Sequence, residues 1–165
     1  MKVPHLLRFL LLFVFALPSV AQSTSASTND LSSTLRKFLD LYAHKDVSGL
    51  MAMVADRDVL AMGSDISEVC TSRAQIQQLL EDDFKLWDSA TFGSPERVFS
   101  QRSGNLVTAF FDAPFTLRRG GGEQTVTVRF AMVWKQTPQG LRMLQNANTT
   151  PTVGQSAKEL LAPKK

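Results

Sequence analysis

Residues 106–135, LVTAFFDAPFTLRRGGGEQTVTVRFAMVWK, decide the fold. Two long apolar runs flank Gly120-Gly121-Gly122, a cluster of the residue best suited to a turn. Within each run the side chains alternate with period two, the mark of a strand. Val107, Ala109, Phe111, Ala113, Phe115 and Leu117 share one face of the first run (residues 106–117). Val126, Val128, Phe130, Met132 and Trp134 share one face of the second (residues 125–135). The opposite faces are mixed, with Thr108, Phe110, Asp112 and Thr116 on one strand and Thr127, Arg129, Ala131 and Val133 on the other. One face apolar throughout and one mixed suits an antiparallel sheet packed against helices on one side.

Working outward, Pro138-Gln139-Gly140 turns into a further strand at residues 141–148. Arg102-Ser103-Gly104-Asn105 closes a hairpin whose first strand is residues 96–101, and residues 89–92 form another. Before Trp87 the pattern becomes helical. Ser72-Arg73-Ala74-Gln75 is a capping box, and Ile76, Leu79, Leu80, Phe84 and Trp87 supply the apolar stripe of the helix it opens. Glu81-Asp82-Asp83 lies within that helix. Consecutive helical residues point about 100° apart, so the three cannot converge on one ion and read as a solvated face. Residues 58–63 (DVLAMG) read as a strand and residues 64–71 as a loop. Asp46 caps a short helix carrying Val47, Leu50, Met51 and Val54. A first helix carries Leu31, Leu35, Phe38 and Tyr42, with Asn29 or Asp30 as its cap.

The N-terminus reads as a signal peptide, residues 1–21. Lys2, His5 and Arg8 precede the apolar run FLLLFVFAL (residues 9–17), and Ser19 and Ala21 mark a cut before Gln22. The run is about half the roughly 20 residues that span a bilayer, so no membrane span is expected after cleavage, and the product is secreted or periplasmic. Residues 22–29 form a polar tether, 30–151 the domain and 152–165 a tail. Cleavage removes Lys2 and Arg8 from the 18 basic residues, which leaves a near balance against 15 acidic ones. That balance argues against nucleic-acid binding, which needs a concentrated basic surface. Cys70 is the single cysteine and reads as a small buried apolar residue. His44 is the only histidine outside the signal peptide, so neither a metal site nor a cofactor is expected.

Three helices followed by a long-stranded sheet is the order of the nuclear transport factor 2-like superfamily, and local segments match it. YAHKDVSGLMAMVADRDVLAMGSD (residues 42–65) resembles its entry. Gly63 to Glu68, followed by Arg73-Ala74-Gln75-Ile76, resembles a segment of the SnoaL-like branch, and VRFAMVWKQTPQGLRMLQNANTTP (residues 128–151) resembles that branch's closing hairpin. The resemblance spans residues 31–151 and implies an α+β, cone-shaped roll: three N-terminal helices packed on a curved antiparallel sheet. It implies a pocket inside the cone and an outer sheet face that forms homodimers.

The superfamily holds isomerases, dehydratases, cyclases and non-catalytic binding domains, and fold alone does not choose among them. Steroid-isomerase-type members place a Tyr where this chain has Phe38, a base where it has Met62 and a protonated acid near Met132. Phe and Met neither abstract a proton nor stabilise an oxyanion. SnoaL-like members often close with Trp, His and Ser, at the places of Leu141, Ala147 and Thr149 here. Phe38, Tyr42, Met62, Trp87, Phe111, Phe130, Met132 and Trp134 are candidates for the pocket wall, or else plain core. The weak polar candidates are Asp112, Asp65, Glu68 and His44. Asp112 is expected to face solvent or an interface, paired with Arg129. Asp65 and Glu68 are expected to satisfy backbone donors in their loop. The leading expectation is non-catalytic binding of an apolar small molecule or a protein partner, in a homodimer joined through Phe110, Ala131 and Val133. The alternative is a small-molecule isomerase or lyase; a third is a subunit docked to an envelope complex.

Overall fold

A computed structural model describes residues 27–152, so the expected signal peptide (1–21), residues 22–26 and residues 153–165 lie outside it. The order is α1 (Ser27–Ala43), α2 (Val47–Met53), β1 (Leu60–Met62), β2 (Val69–Cys70), α3 (Arg73–Asp83), β3 (Ser89–Phe92), β4 (Glu96–Ser103), β5 (Leu106–Arg119), β6 (Gly122–Thr137) and β7 (Gly140–Thr149). The sheet runs β2-β1-β7-β6-β5-β3, with β4 also paired to β5. This is the expected α+β cone, with one departure: β1 pairs with β7 in parallel, so the sheet is mixed rather than antiparallel throughout.

β5 and β6 form its backbone, in unbroken register from Leu106↔Lys135 to Arg119↔Gly122. Their apolar faces turn inward as the alternation predicts, with Ala109, Ala113 and Trp134 fully covered. The far edge of β5 is shared. β4 pairs with its first half and β3 with its second. Pro114 sits at the changeover and accepts a hydrogen bond from Gly93 N at 2.8 Å. A strand residue's N–H and C=O point the same way, so the donor that Pro114 lacks would have pointed at this break in the ladder.

α1 lays Leu31, Leu35, Phe38 and Leu39 onto the sheet; burying each such side chain stabilises the fold by about 1.5–3 kcal/mol. Its described part runs from Ser27, so Asn29 and Asp30 lie inside the helix rather than capping it. Asp46 caps α2 as expected, its Oδ1 accepting from Gly49 N at 2.7 Å. At α3 the capping box closes differently from its simplest form. Ser72 Oγ accepts from Gln75 N, but Gln75 Oε1 reaches back to Thr71 N at 2.9 Å.

The remaining corrections are local. The expected strand at 58–63 shrinks to Leu60–Met62 because Asp58 takes a left-handed backbone, φ 59°. The expected loop contains β2, hydrogen-bonded to β1. α3 ends at Asp83 with Phe84 as its cap. Trp87 lies beyond the helix, and its helical spacing reflects packing against Tyr42, Phe84 and Phe115. Arg73, first residue of α3, ties the helices together. Its guanidinium donates to the carbonyls of Val54 (2.6 Å), Ala55 (3.0 Å) and Met51 (3.0 Å) at the end of α2.

Candidate functional site

Between the helices and the inner sheet face lies a cavity of about 260 Å³. Its wall is aromatic. Phe38 of α1 meets Phe130 of β6 edge to face at 6.1 Å. Tyr42 stacks on Trp87 at 5.8 Å, and Phe92 on Phe115 at 4.3 Å. Met62 and Leu86, 41% and 54% exposed, belong to its more open part.

One side of the cavity is acidic. Tyr42 Oη donates to Asp83 Oδ2 at 2.8 Å, and Glu68 lines the same space. Burial raises the Asp83 carboxyl above its ordinary range. The Tyr42 hydrogen bond partly offsets this, while the charges of Glu68 and Asp82 add to it. Burial, then the charge of Asp83, holds the Tyr42 phenol well above its usual value, so the hydroxyl remains a donor at neutral pH. Asp83 therefore corrects the reading of its triplet as a solvated face: Asp82 bonds to Lys85 outside, whereas Asp83 turns inward.

Glu68 reaches the site by folding over Gly63. A Cβ on Gly63 would lie 1.9 Å from Glu68 Oε2, so this position accepts glycine alone without a shift in the loop. Glu68 Oε2 also accepts from Asp65 N at 3.0 Å, and Asp65 Oδ1 accepts from Ser67 N and Oγ. Both acids thus satisfy loop donors as expected, but only Glu68 lines the cavity.

The closing strand supplies two polar groups that its sequence disguises. Val133 pairs with Gln145 and Trp134 with Met143, leaving Leu144 as an extra residue. Such a bulge exchanges the faces of the residues beyond it. Asn146 and Asn148 consequently line the cavity, opposite Met132 and Phe130. Ala147 and Thr149, at the expected His and Ser places, line a groove on the outer face instead. Loss of those two residue types therefore leaves the cone with polar handles of its own. Asn146 Oδ1 is covered and has no hydrogen-bond partner.

Of the eight candidates for the wall, Phe38, Tyr42, Met62, Trp87 and Phe130 line the cavity. Phe111, Met132 and Trp134 do not: each is at most 2% exposed and fills the core. His44 lies apart on the surface, its Nδ1 2.8 Å from the Asp40 carbonyl. Asp112 faces neither solvent nor the cavity. It is 3% exposed beneath Arg129, which donates at 2.9 and 3.2 Å, and Arg97. A bulge in β4 and a left-handed Arg97 (φ 49°) bring the second guanidinium over it. The Arg129 hydrogen bond, ahead of burial, which opposes it, holds the carboxyl below its ordinary range. Asp112 is thus a paired structural ion. Cys70 is buried and free, its thiol pushed up by burial.

The model of a family described as "SnoaL-like domain" matches residues 31–149. Among curated proteins none matches the chain. Solved structures do, at low identity. A nuclear transport factor 2-like protein with a cystatin-like fold from Novosphingobium aromaticivorans is 15% identical with a TM-score of 0.65, covering 81% of this chain and 88% of its own. A protein of that type and of unknown function from Pseudomonas putida is 13% identical with a TM-score of 0.68, covering 80% and 92%. A superfamily member from Salmonella enterica is 20% identical with a TM-score of 0.65, covering 78% and 95%. At these identities the likeness is one of fold.

Proposed function

As this chain belongs to the SnoaL-like domain family, we propose that its cone binds a small, largely apolar molecule. One observation carries this reading: a cavity of about 260 Å³, walled by aromatic rings, with few polar side chains among them, namely Tyr42, Ser64, Glu68, Asp83, the β7 amides and Thr150. An apolar space with a few placed polar groups is the usual build of a small-molecule site. The expected result is that 1-naphthalenemethanol binds and quenches Trp87, and that the quench survives Trp134→Phe. Val128→Asp, which places a charge on the cavity wall, should weaken binding by at least about tenfold. Absence of binding to the unaltered chain would refute the reading.

An isomerase or lyase is the second reading, and the Tyr42–Asp83 pair favours it, because a carboxylate raised by burial is suited to proton transfer. We expect no ketosteroid isomerisation above buffer, since Phe38 and Met62 stand where steroid-isomerase-type members of the superfamily place their Tyr and base. Turnover lost in Asp83→Asn and kept in Asp112→Asn would decide for this second reading.

A homodimer through the outer sheet face belongs to the same proposal. Phe99, Phe110, Ala131 and Ala147 stand side by side across β4, β5, β6 and β7. Phe99 and Phe110 are 69% and 53% exposed. A straight apolar row suits a two-fold contact with its own copy. Light scattering should find a dimer at high micromolar concentration and a monomer for Ala131→Asp; a monomeric unaltered chain excludes this face. Export is the remaining part of the proposal. The intact mass of secreted protein should begin at Gln22, and a soluble form retaining Met1 would contradict it.

A further inference from the structure

Among the described residues the cavity's charges are all of one sign: its lining includes two carboxylates, Glu68 and Asp83, and no Lys, Arg or His. Nearby cations are engaged elsewhere: Arg73 on the carbonyls ending α2, Lys45 on the Trp87 carbonyl and Lys85 on Asp82. Among the described residues neither Glu68 nor Asp83 forms an ion pair. Taking unpaired carboxylates out of water is costly, and a neighbouring cation offsets that cost. The charge of Glu68 already reaches Asp83 and Tyr42.

Two polar groups on residues lining the same cavity have no hydrogen-bond partner. Trp87 lines it, is only 8% exposed, and its indole N–H has no acceptor. The Asn146 carbonyl oxygen has no donor. The Tyr42 ring stands beside Asp83; the Trp87 ring stacked on it already holds Lys45 Nζ 5.7 Å from its centroid, an instance of the attraction of ammonium groups to ring faces.

We infer that the cone takes an amphiphilic amine: a ring-sized apolar body held among Phe38, Phe115 and Phe130, with an ammonium group against Asp83 and Glu68. This rests on the reading of the cone as a small-molecule site and names the chemical class of its ligand. An anionic ligand would meet two like charges. A neutral one would fill the apolar space and leave both carboxylates unmatched.

Calorimetry with three probes of one skeleton separates the possibilities. They are 1-naphthylmethylamine, 1-naphthalenemethanol and 1-naphthoic acid, titrated into the purified chain at neutral pH. The amine is expected to bind about tenfold more tightly than the alcohol, and the acid most weakly. In Asp83→Asn with Glu68→Gln the amine-to-alcohol ratio should fall to about one. If that pair of changes prevents folding, Glu68→Gln alone should lower the ratio. Both substitutions keep an acceptor oxygen for Tyr42 Oη or Asp65 N. An amine that binds no better than the alcohol overturns the inference while leaving the cavity reading standing, as does a preference that survives neutralisation. Failure of all three probes to bind removes the cavity reading itself.

Discussion

Trp134→Ala is expected to lower folding stability by about 3–5 kcal/mol, a large share of the roughly 5–15 kcal/mol that holds a domain folded. Trp134 is fully buried on β6, between Val107 of β5 and Met143 of β7. Phe38 of α1 meets its ring edge to face at 6.4 Å. Two neighbouring strands fix the space around it, so little collapse can refill the hole. Its indole N–H has no acceptor, so the loss comes from volume and contacts. Trp134→Phe, which removes the stranded donor along with part of the ring, should cost under about 1.5 kcal/mol. Urea unfolding measures both. A Trp134→Ala midpoint close to that of the unaltered chain would show that the core repacks where this account says it cannot.

Arg73→Met is expected to cost about 2–4 kcal/mol although the side chain is only half-buried. A surface arginine usually contributes far less. Here one fork serves three carbonyls at the end of α2, a place where carbonyls lack helical partners. The methionine keeps the apolar stem and loses the donors. Arg73→Lys keeps the charge without the planar fork and should recover only part of the loss. Ala55 N, bonded to Met143 O at 2.8 Å, should exchange its proton faster in Arg73→Met. Stability unchanged in both variants would mean that water replaces the guanidinium without penalty.

The sheet was legible because its signal is local and repeated. Alternation on β5 and β6 named the buried face correctly from Val107 to Phe115 and from Phe130 to Trp134. Both interior caps were legible for the same reason, since Asp46 and Ser72 bond within three residues. The candidate site was harder to read. Asp83 looks like its solvated neighbours until α3 is placed over Tyr42, 41 residues away in the chain. Asn146 and Asn148 were hidden by a register shift that leaves no mark in composition. Phe111, Met132 and Trp134 share the apolar face with true wall residues, and alternation gives a face without giving depth along it. Asp112 was recognised as Arg129's partner, but nothing local announces that Arg97 swings over to cover it.

The extra residue in β7 also bears on how such a cone changes over generations. Deleting Leu144 alone, with β6 held in place, would leave Met143 opposite Trp134 and Gln145 opposite Val133, so Asn146 and Asn148 would stay inside. The strand thus carries one residue that can be lost without turning its lining over. A residue lost from a strand with no such spare slips everything beyond it to the opposite face. Descendants of this scaffold can therefore shorten the closing strand here and keep what the cone presents.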